Sequence, residues 1–370
     1  MKYYIIAGER SGDLHGANLI KALRERDTDK EIRFWGGDYM KAAGGELVVH
    51  YNEIAVMGFW EVLKNYAKLR KFINFCKKDV VSYQPDVLIL IDFAGFNMRI
   101  AKHAKQNGIK TFYYISPKVW AWNQKRALKI KATVDRMFVI LPFEKAFYRK
   151  YDYDVDYVGN PLLDAIRDFT PDADFIRNNK LEAKPIIAVL PGSRKQEIDN
   201  ILDVMLTISS QFTDYQFVVA GIKNMPTELY AAVAPASNVK IVFDQTYDIL
   251  KNAHAAIVTS GTATLETALF EVPQIVCYKT SSLTYQISKR LIMVDYISLV
   301  NLIADKAVVK ELIQDDLNAE NLKEELNAIV GDGAKRAEQL SGYQEIKAIL
   351  GDEKTSENLA KLIVGYLTRS

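Results

Sequence analysis

Cysteine and histidine are scarce here. Two cysteines, Cys76 and Cys277, and four histidines, His15, His50, His103 and His254, are spread over 370 residues. The cysteines form no CxxC and have no histidine cluster nearby, which argues against a disulfide framework or a zinc site and predicts no bound metal. An excess of one charge is also lacking. Forty-eight Lys and Arg against 46 Asp and Glu leave a net charge of +2, so no global nucleic-acid footprint exists and any basic surface is local. No apolar run approaches the ~20 residues that span a bilayer. The apolar part of MKYYIIAGE is too short for a signal peptide and reads as a first strand, so the cytoplasm is the expected compartment. GxGxxG and the Gly-Lys-Ser/Thr end of a P-loop are missing, which removes the dinucleotide fingerprint and ATP hydrolysis of that type.

What is present is a repeated strand–helix pattern. The length exceeds one ordinary core and predicts two domains. Hydrophobic content of 49% and charged content of 25% are those of a soluble globular protein. Tyr3–Ala7, Ile32–Trp35, Asp86–Ile91, Thr111–Ile115, Arg136–Leu141 and Val155–Val158 read as strands, several of them apolar throughout, as in a buried parallel sheet. Arg167–Lys184 is polar and reads as a linker. Pro185–Leu190, Phe217–Ala220, Lys240–Phe243, Ala255–Val258 and Gln274–Tyr278 then supply a second set. The predicted fold class is α/β: two Rossmann-like lobes, 1–165 and 166–345, with a cleft between them. A helical segment, 346–370, can pack on either lobe.

Four stretches carry chemistry. In Ala255–Ile275 a strand meets a small-residue turn and a helix beginning near Leu265. Ser260, Gly261 and Thr262 leave N–H groups free at a helix N-terminus, where an anion is favoured. Glu266, expected in the first helical turn, can reach the hydroxyls of an attached sugar, so a diphosphate with a ribose fits; an ordinary capped helix is the alternative. Pro191-Gly192-Ser193-Arg194 lies after another strand, and Arg194 offers a planar fork to a diphosphate or is simply a surface arginine. In the first lobe Glu9, Ser11 and Asp13 belong to a turn, Gly8–Asp13, before a helix from Leu14 that carries His15, and Asp92 ends a strand. Carboxyl ends of strands hold the sites of open α/β sheets, so these groups can converge and deprotonate an acceptor hydroxyl; Asp92 can also be a mere helix cap. Trp120 and Trp122, with Lys125, Arg126 and Lys129, either stack a sugar and grip a phosphate or are core tryptophans beside a solvated basic helix.

Gly58–Tyr83 reads as one long helix. Phe59, Val62, Leu63, Tyr66, Leu69, Ile73 and Cys76 make its core stripe. Trp60 and Phe75 fall elsewhere, among Lys64, Lys68, Lys71 and Lys78. Aromatics interleaved with lysines suit a membrane interface facing anionic lipid; a second packing face with solvated lysines is the alternative.

Taken together, AGERSGDLHGA (7–17), WGGDYMKAAGG (35–45), VMGFWEVL (56–63), IDFAGFNMR (91–99), YYISPKVWAWNQKR (113–126), LPFEKAFY (141–148), VGNPL (158–162), LPGSRKQEI (190–198), SGTATLETAL (260–269), CYKTSSLTYQISKRL (277–291) and SLVNLIADKAVVKELIQDD (298–316) resemble the lipid-A-disaccharide synthase family. The likeness spans nearly the whole chain in order. It implies a two-lobed glycosyltransferase of the B type, needing neither metal nor cofactor and peripheral on the inner face of the inner membrane. UDP-2,3-diacylglucosamine is the implied donor and 2,3-diacylglucosamine 1-phosphate the acceptor, whose 6-hydroxyl displaces UDP to give a β-1′,6 disaccharide. A homodimer is compatible with this. Ser260–Thr262 and Arg194 then stabilise the leaving diphosphate, Asn301 of the family's PNL motif lines the donor side, and Ser11, His15, Trp120 and Trp122 fall to the acceptor. Two departures stand out. Where the family has PDFN, this chain has Ala94-Gly95-Phe96-Asn97, so the second aspartate is absent; and Asn160 replaces the histidine of VGHP. The general base is therefore sought among Asp92, Glu9 and Asp13, with Asp92 preferred because it ends a buried strand. A UDP-N-acetylglucosamine 2-epimerase or other UDP-sugar transferase of this architecture is the competing class, and a non-catalytic membrane-docking protein of the same fold is the third.

Overall fold

The computed structural model describes residues 1–55, 66–233, 237–281, 285–286 and 292–368. Two compact units divide the chain: residues 1–164 with 352–370, and residues 165–351.

The first unit is built on seven parallel strands: β1 (Lys2–Ala7), β2 (Glu31–Gly36), β3 (Glu46–His50), β4 (Val87–Ile91), β5 (Thr111–Tyr114), β6 (Arg136–Val139) and β7 (Asp156–Tyr157). Their order is β3-β2-β1-β4-β5-β6-β7. β4 and β5 are buried along their whole length, and β1 from Tyr3 on, because helices cover both faces; this is why they read as unbroken apolar runs. The intervening helices include α1 (Arg10–Arg26), α2 (Asp38–Ala43), α3 (Tyr66–Tyr83), α4 (Ala94–Gln106), α5 (Val119–Trp122), α6 (Arg126–Thr133) and α7 (Phe143–Arg149). The C-terminal helix, Thr355–Thr368, returns to this unit. Leu359, Ala360 and Ile363 join the core containing Leu19 and Leu23 of α1, Tyr366 donates to the Asp156 carboxylate at 3.0 Å, and the Arg136 guanidinium lies 4.0 Å from the Tyr366 ring centre.

The second unit has six parallel strands: β8 (Ile186–Leu190), β9 (Gln216–Gly221), β10 (Val239–Phe243), β11 (Ala253–Thr259), β12 (Gln274–Tyr278) and β13 (Lys310–Ile313), ordered β10-β9-β8-β11-β12-β13. The helices that matter below are α8 (Lys195–Leu206), α9 (Thr262–Leu269) and α10 (Leu299–Ala304).

Each sheet reverses its strand order once, at β1/β4 and at β8/β11. Such reversals leave a crevice outside the carboxyl ends of the two strands, because the following helices go to opposite faces. Four loops are thereby singled out.

Several expectations are corrected. α1 begins at Arg10, not Leu14, so Ser11 and Asp13 are helical, as His15 is. α9 begins at Thr262, not near Leu265, which puts Glu266 past the first turn. The segment expected as a linker is packed into the second unit: Phe175 is buried, Asp172 N–H donates to the Asp248 carboxylate at 2.7 Å, and Phe169 meets Tyr247 edge-on at 5.4 Å. Two edge strands, β3 and β13, went unpredicted; both are short and half-buried. Of the helix expected over 58–83, residues 58–65 lie outside the described residues.

Candidate active site

At the first reversal the ends of β1 and β4 are neighbours, Ala7 pairing with Ile91. Glu9 follows one strand as the N-cap of α1, and Asp92 follows the other. Asp92 and Phe93 both have positive φ, 44° and 47°, an expensive turn for residues with side chains. Three bonds hold it: Asp92 N–H to the Tyr114 carbonyl at 3.0 Å, Asn97 Nδ2 to the Asp92 carbonyl at 2.8 Å, and the Tyr113 hydroxyl to that same carbonyl. Gly8 is required opposite, since a Cβ there would overlap the Phe93 ring. The Asp92 side chain reaches solvent from a recess that protein atoms crowd. Desolvation, then the like charge of Glu9, raise its pKa above the ordinary carboxylate value, while Lys118 and the Phe93 N–H pull it down.

Asp13 is placed differently. It is 1% exposed, and its carboxylate accepts N–H groups from Gly37 at 2.7 Å, Tyr39 at 3.0 Å and Met40 at 3.1 Å. It caps α2, and both oxygens are engaged. His15 packs edge-on to Tyr114 with ring centres 6.2 Å apart, and burial lowers its pKa to about 4, so the imidazole is neutral at pH 7. Ser11 is exposed on the first turn of α1. The two tryptophans separate. Trp120 is buried and donates its indole N–H to Glu144 at 3.2 Å, whereas Trp122 is 46% exposed with the Arg126 guanidinium 5.5 Å from its ring centre. Asn160 is buried and structural, donating to the Ile140 carbonyl at 3.1 Å and accepting the Leu162 N–H at 3.0 Å.

At the second reversal, β8 leads into Gly192–Arg194 and β11 into Ser260–Thr262. Arg194 is exposed and pairs with Glu197 at 3.1 Å, while Glu197 also accepts the N–H groups of Ser193 at 3.0 Å and Arg194 at 3.1 Å. Gly192 has φ 109°, and a Cβ there would meet the Glu197 carboxylate at 2.5 Å. Across the reversal, the Ser260 N–H is spent on the Cys277 carbonyl at 3.0 Å and its hydroxyl on the Ile297 carbonyl at 2.9 Å. Among the described residues nothing accepts from the N–H groups of Gly261, Thr262 or Ala263, which open α9. A Cβ on Gly261 would meet open space, so access there is unobstructed. Glu266 is half-buried, accepts the Tyr247 hydroxyl at 2.8 Å, and is raised in pKa by burial, against that hydrogen bond. Asn301 does not present a free amide. It is buried, its Oδ1 accepts the Val308 and Val309 N–H groups, and its Nδ2 donates to the Val309 carbonyl and Glu311.

Of the residues expected to face a membrane, Trp60 and Lys64 lie outside the described residues. Lys71 is exposed on α3. Phe75 is 47% exposed, its ring 5.9 Å from that of Trp35. Among the described residues no cluster of three or more His, Cys, Asp or Glu suits a metal ion, and no helix is long and apolar enough to cross a membrane. Residues that sequence reasoning passed over are Lys118, Glu144, Glu197 and Tyr247. Three of them, Lys118, Glu144 and Glu197, stand within stretches that carry the family resemblance.

Comparison with known proteins fits this geometry. The family model for lipid-A-disaccharide synthetase matches residues 3–364. A lipid-A-disaccharide synthase of Syntrophus aciditrophicus is 40% identical, covering 99% of this chain and 98% of its own length. Those of Geobacter metallireducens and Coxiella burnetii are 37% and 34% identical, each over 96% of their own lengths and 98% and 97% of this chain. Among solved structures, the UDP-GlcNAc 2-epimerase of Neisseria meningitidis bound to UDP-GlcNAc superposes with a TM-score of 0.70 at 14% identity, covering all of both chains. The calicheamicin glycosyltransferase CalG4 gives 0.61 at 15%, covering all of this chain and 98% of its own. Those two likenesses concern the fold.

Proposed function

Because the chain belongs to the lipid-A-disaccharide synthetase family, and so is a glycosyltransferase of lipid A disaccharide formation, we propose that it joins UDP-2,3-diacylglucosamine to 2,3-diacylglucosamine 1-phosphate through the acceptor 6-hydroxyl, releasing UDP. The observation that carries this reading is the division of chemistry between the two reversals. One offers unengaged N–H groups and an exposed guanidinium; the other offers carboxylates. The diphosphate of the donor rests on the Gly261–Ala263 amides and draws Arg194 away from Glu197, an exposed pair worth little in water. Those donors meet the negative charge that grows on the leaving group. Glu266 takes the ribose hydroxyls. Asp92 accepts the proton of the attacking hydroxyl, Glu9 orients the acceptor, and Asp13 supports the site from beneath by fixing α2. His15, neutral, can accept or donate a hydrogen bond to a sugar, and Ser11 and Trp122 line the acceptor side.

A lipid acceptor requires access to a membrane, and the first unit carries a suitable surface. Phe75 with Lys71 forms one part. Trp122 and Leu128, 46% and 53% exposed, form another beside Lys125 and Lys129. No acidic residue occurs from Lys118 through Val134, so this surface matches anionic lipid. The deciding experiment is acceptor-dependent release of UDP from the diacylated donor, with the disaccharide identified by mass. Epimerisation of UDP-N-acetylglucosamine, or UDP binding without turnover, would replace this reading with one of its competitors.

A further inference from the structure

The turn that carries Asp92 is closed by a residue with no part in the scheme above. β4 ends at Ile91, beside Tyr114 of β5, and where the ladder stops a buried carbonyl must find another donor. Asn97, the fourth residue of α4 and fully buried, supplies donors to three successive carbonyls. Its Nδ2 donates to that of Ile91 at 3.1 Å and to that of Asp92 at 2.8 Å. Its backbone N–H donates to that of Phe93 at 3.0 Å. Two side-chain N–H groups on a single methylene arm are what asparagine brings, whereas serine has one donor and an ionised aspartate none. The Tyr113 hydroxyl, on a ring that is also fully buried, gives the Asp92 carbonyl a second donor. The Phe93 ring is held as well, stacked on Phe96 at 5.5 Å, with Phe96 in turn 5.5 Å from Trp35.

This turn gathers unfavourable features. Asp92 and Phe93 follow one another with φ of 44° and 47°, and among the described residues the buried Asn97 Oδ1 meets no donor. Strain and unpaired polar atoms persist where the surroundings over-determine them, and they collect at sites that use them. Here the use is direction. Rotation about the Asp92 N–Cα bond swings its carbonyl and its Cβ together, so donors that fix the carbonyl also fix where the carboxyl group points. With the Asp92 N–H tied to the Tyr114 carbonyl at 3.0 Å, both ends of the residue are held. We propose that Asn97, seconded by Tyr113, is a positioning residue that aims the Asp92 carboxyl group at the acceptor hydroxyl, a role that rests on the reading of Asp92 as the base. Both residues are fully buried, so neither meets substrate and each acts through Asp92.

The test has a structural arm and a kinetic one. Amide hydrogen exchange at Asp92, read by NMR in the substrate-free protein, should quicken about tenfold or more in Asn97→Ala, while Ile89 in the middle of β4 keeps its parental rate. In acceptor-dependent UDP release the same variant should lose about 10²-fold in kcat, the order expected when a reacting group is misplaced by ~1 Å, with KM for the donor unchanged. Tyr113→Phe keeps the buried ring and removes only the hydroxyl. It should show both effects in smaller measure, and it carries the test if Asn97→Ala does not fold. In the Asp92→Asn background neither substitution should cost further rate, because residues acting through one group are not additive. Unmoved exchange at Asp92 in both variants would overturn the proposal. So would an equal rate loss in the Asp92→Asn background, which would leave Asn97 a purely structural residue. If exchange quickens and Asp92→Asn itself turns over near the parental rate, Asn97 holds the turn as described and the assignment of Asp92 as base is what fails.

Discussion

Asp92 stands on a turn that costs the fold on the order of 1–3 kcal/mol for each of two left-handed residues, strain that one backbone hydrogen bond, the two donated by the Asn97 and Tyr113 side chains, and the space left by Gly8 sustain. Its replacement by Asn keeps shape and removes the proton acceptor. Turnover should fall by ~10²–10⁴-fold with UDP affinity nearly unchanged; near-parental turnover in Asp92→Asn with loss in Glu9→Gln would exchange their roles. Glu144 gives a prediction about stability. Burial lifts its pKa from 4.5 to about 7, so the folded chain holds this proton more tightly than the unfolded one. That contribution is complete below about pH 4.5 and is lost as pH rises through 7. Glu144→Gln, always neutral, should therefore gain on the parent between pH 5 and pH 8 by on the order of 2–3 kcal/mol in denaturant unfolding. Parallel stability profiles would contradict it. Asp92 was legible in the sequence because it ends an apolar run. Lys118, Glu144 and Glu197 were not, because what each does depends on a partner whose position the local pattern does not set.

At the scale of elements, the loops after β8 and β11 were readable and the side chains upon them less so. A strand, a glycine-bearing turn and a helix announce free N–H groups wherever they occur, and Gly261–Ala263 supply them. The sequence does not say which hydroxyl or amide the surroundings consume: Ser260 donates to Ile297 and Asn301 is fully engaged with Val308, Val309 and Glu311. Helix starts were misplaced because Ser, Gly and Thr read as turn residues, whereas at α1 and α9 they occupy first turns. Edge strands were missed because a half-buried run of four or five residues lacks the unbroken apolarity of a central strand. The α9 arrangement predicts that Glu266→Ala weakens UDP binding by roughly 1–3 kcal/mol, the loss of a charge-assisted hydrogen bond. Calorimetry with UDP alone reads this, and Tyr247→Phe, which removes the hydroxyl now held by Glu266, should leave affinity equal or slightly higher. Unchanged affinity in Glu266→Ala would move the ribose elsewhere.

For the whole molecule, two tandem sheets were visible as two runs of alternating elements, but the destination of the last helix was not, since its apolar stripe suits any complementary core. The structure assigns it to the first unit, where Ile363 is fully buried. Ile363→Ala should cost about 2–5 kcal/mol and lower only the calorimetric transition of the first unit; a matching fall in the second would show that the two do not melt independently. Phe75→Ser is expected to reduce binding to anionic vesicles without changing UDP affinity, and equal partitioning of variant and parent would remove α3 from the membrane surface. The return of residues 352–370 also sets an order of completion during synthesis. The first sheet emerges from the ribosome early but lacks a piece of its core until residues 165–351 have been made, a wait of roughly 10–40 s at ~5–20 residues per second. The second unit, whose segments are contiguous, can close during that interval. The half of the protein translated first is therefore the half finished last, and its uncovered α1 face is the surface a chaperone would meet.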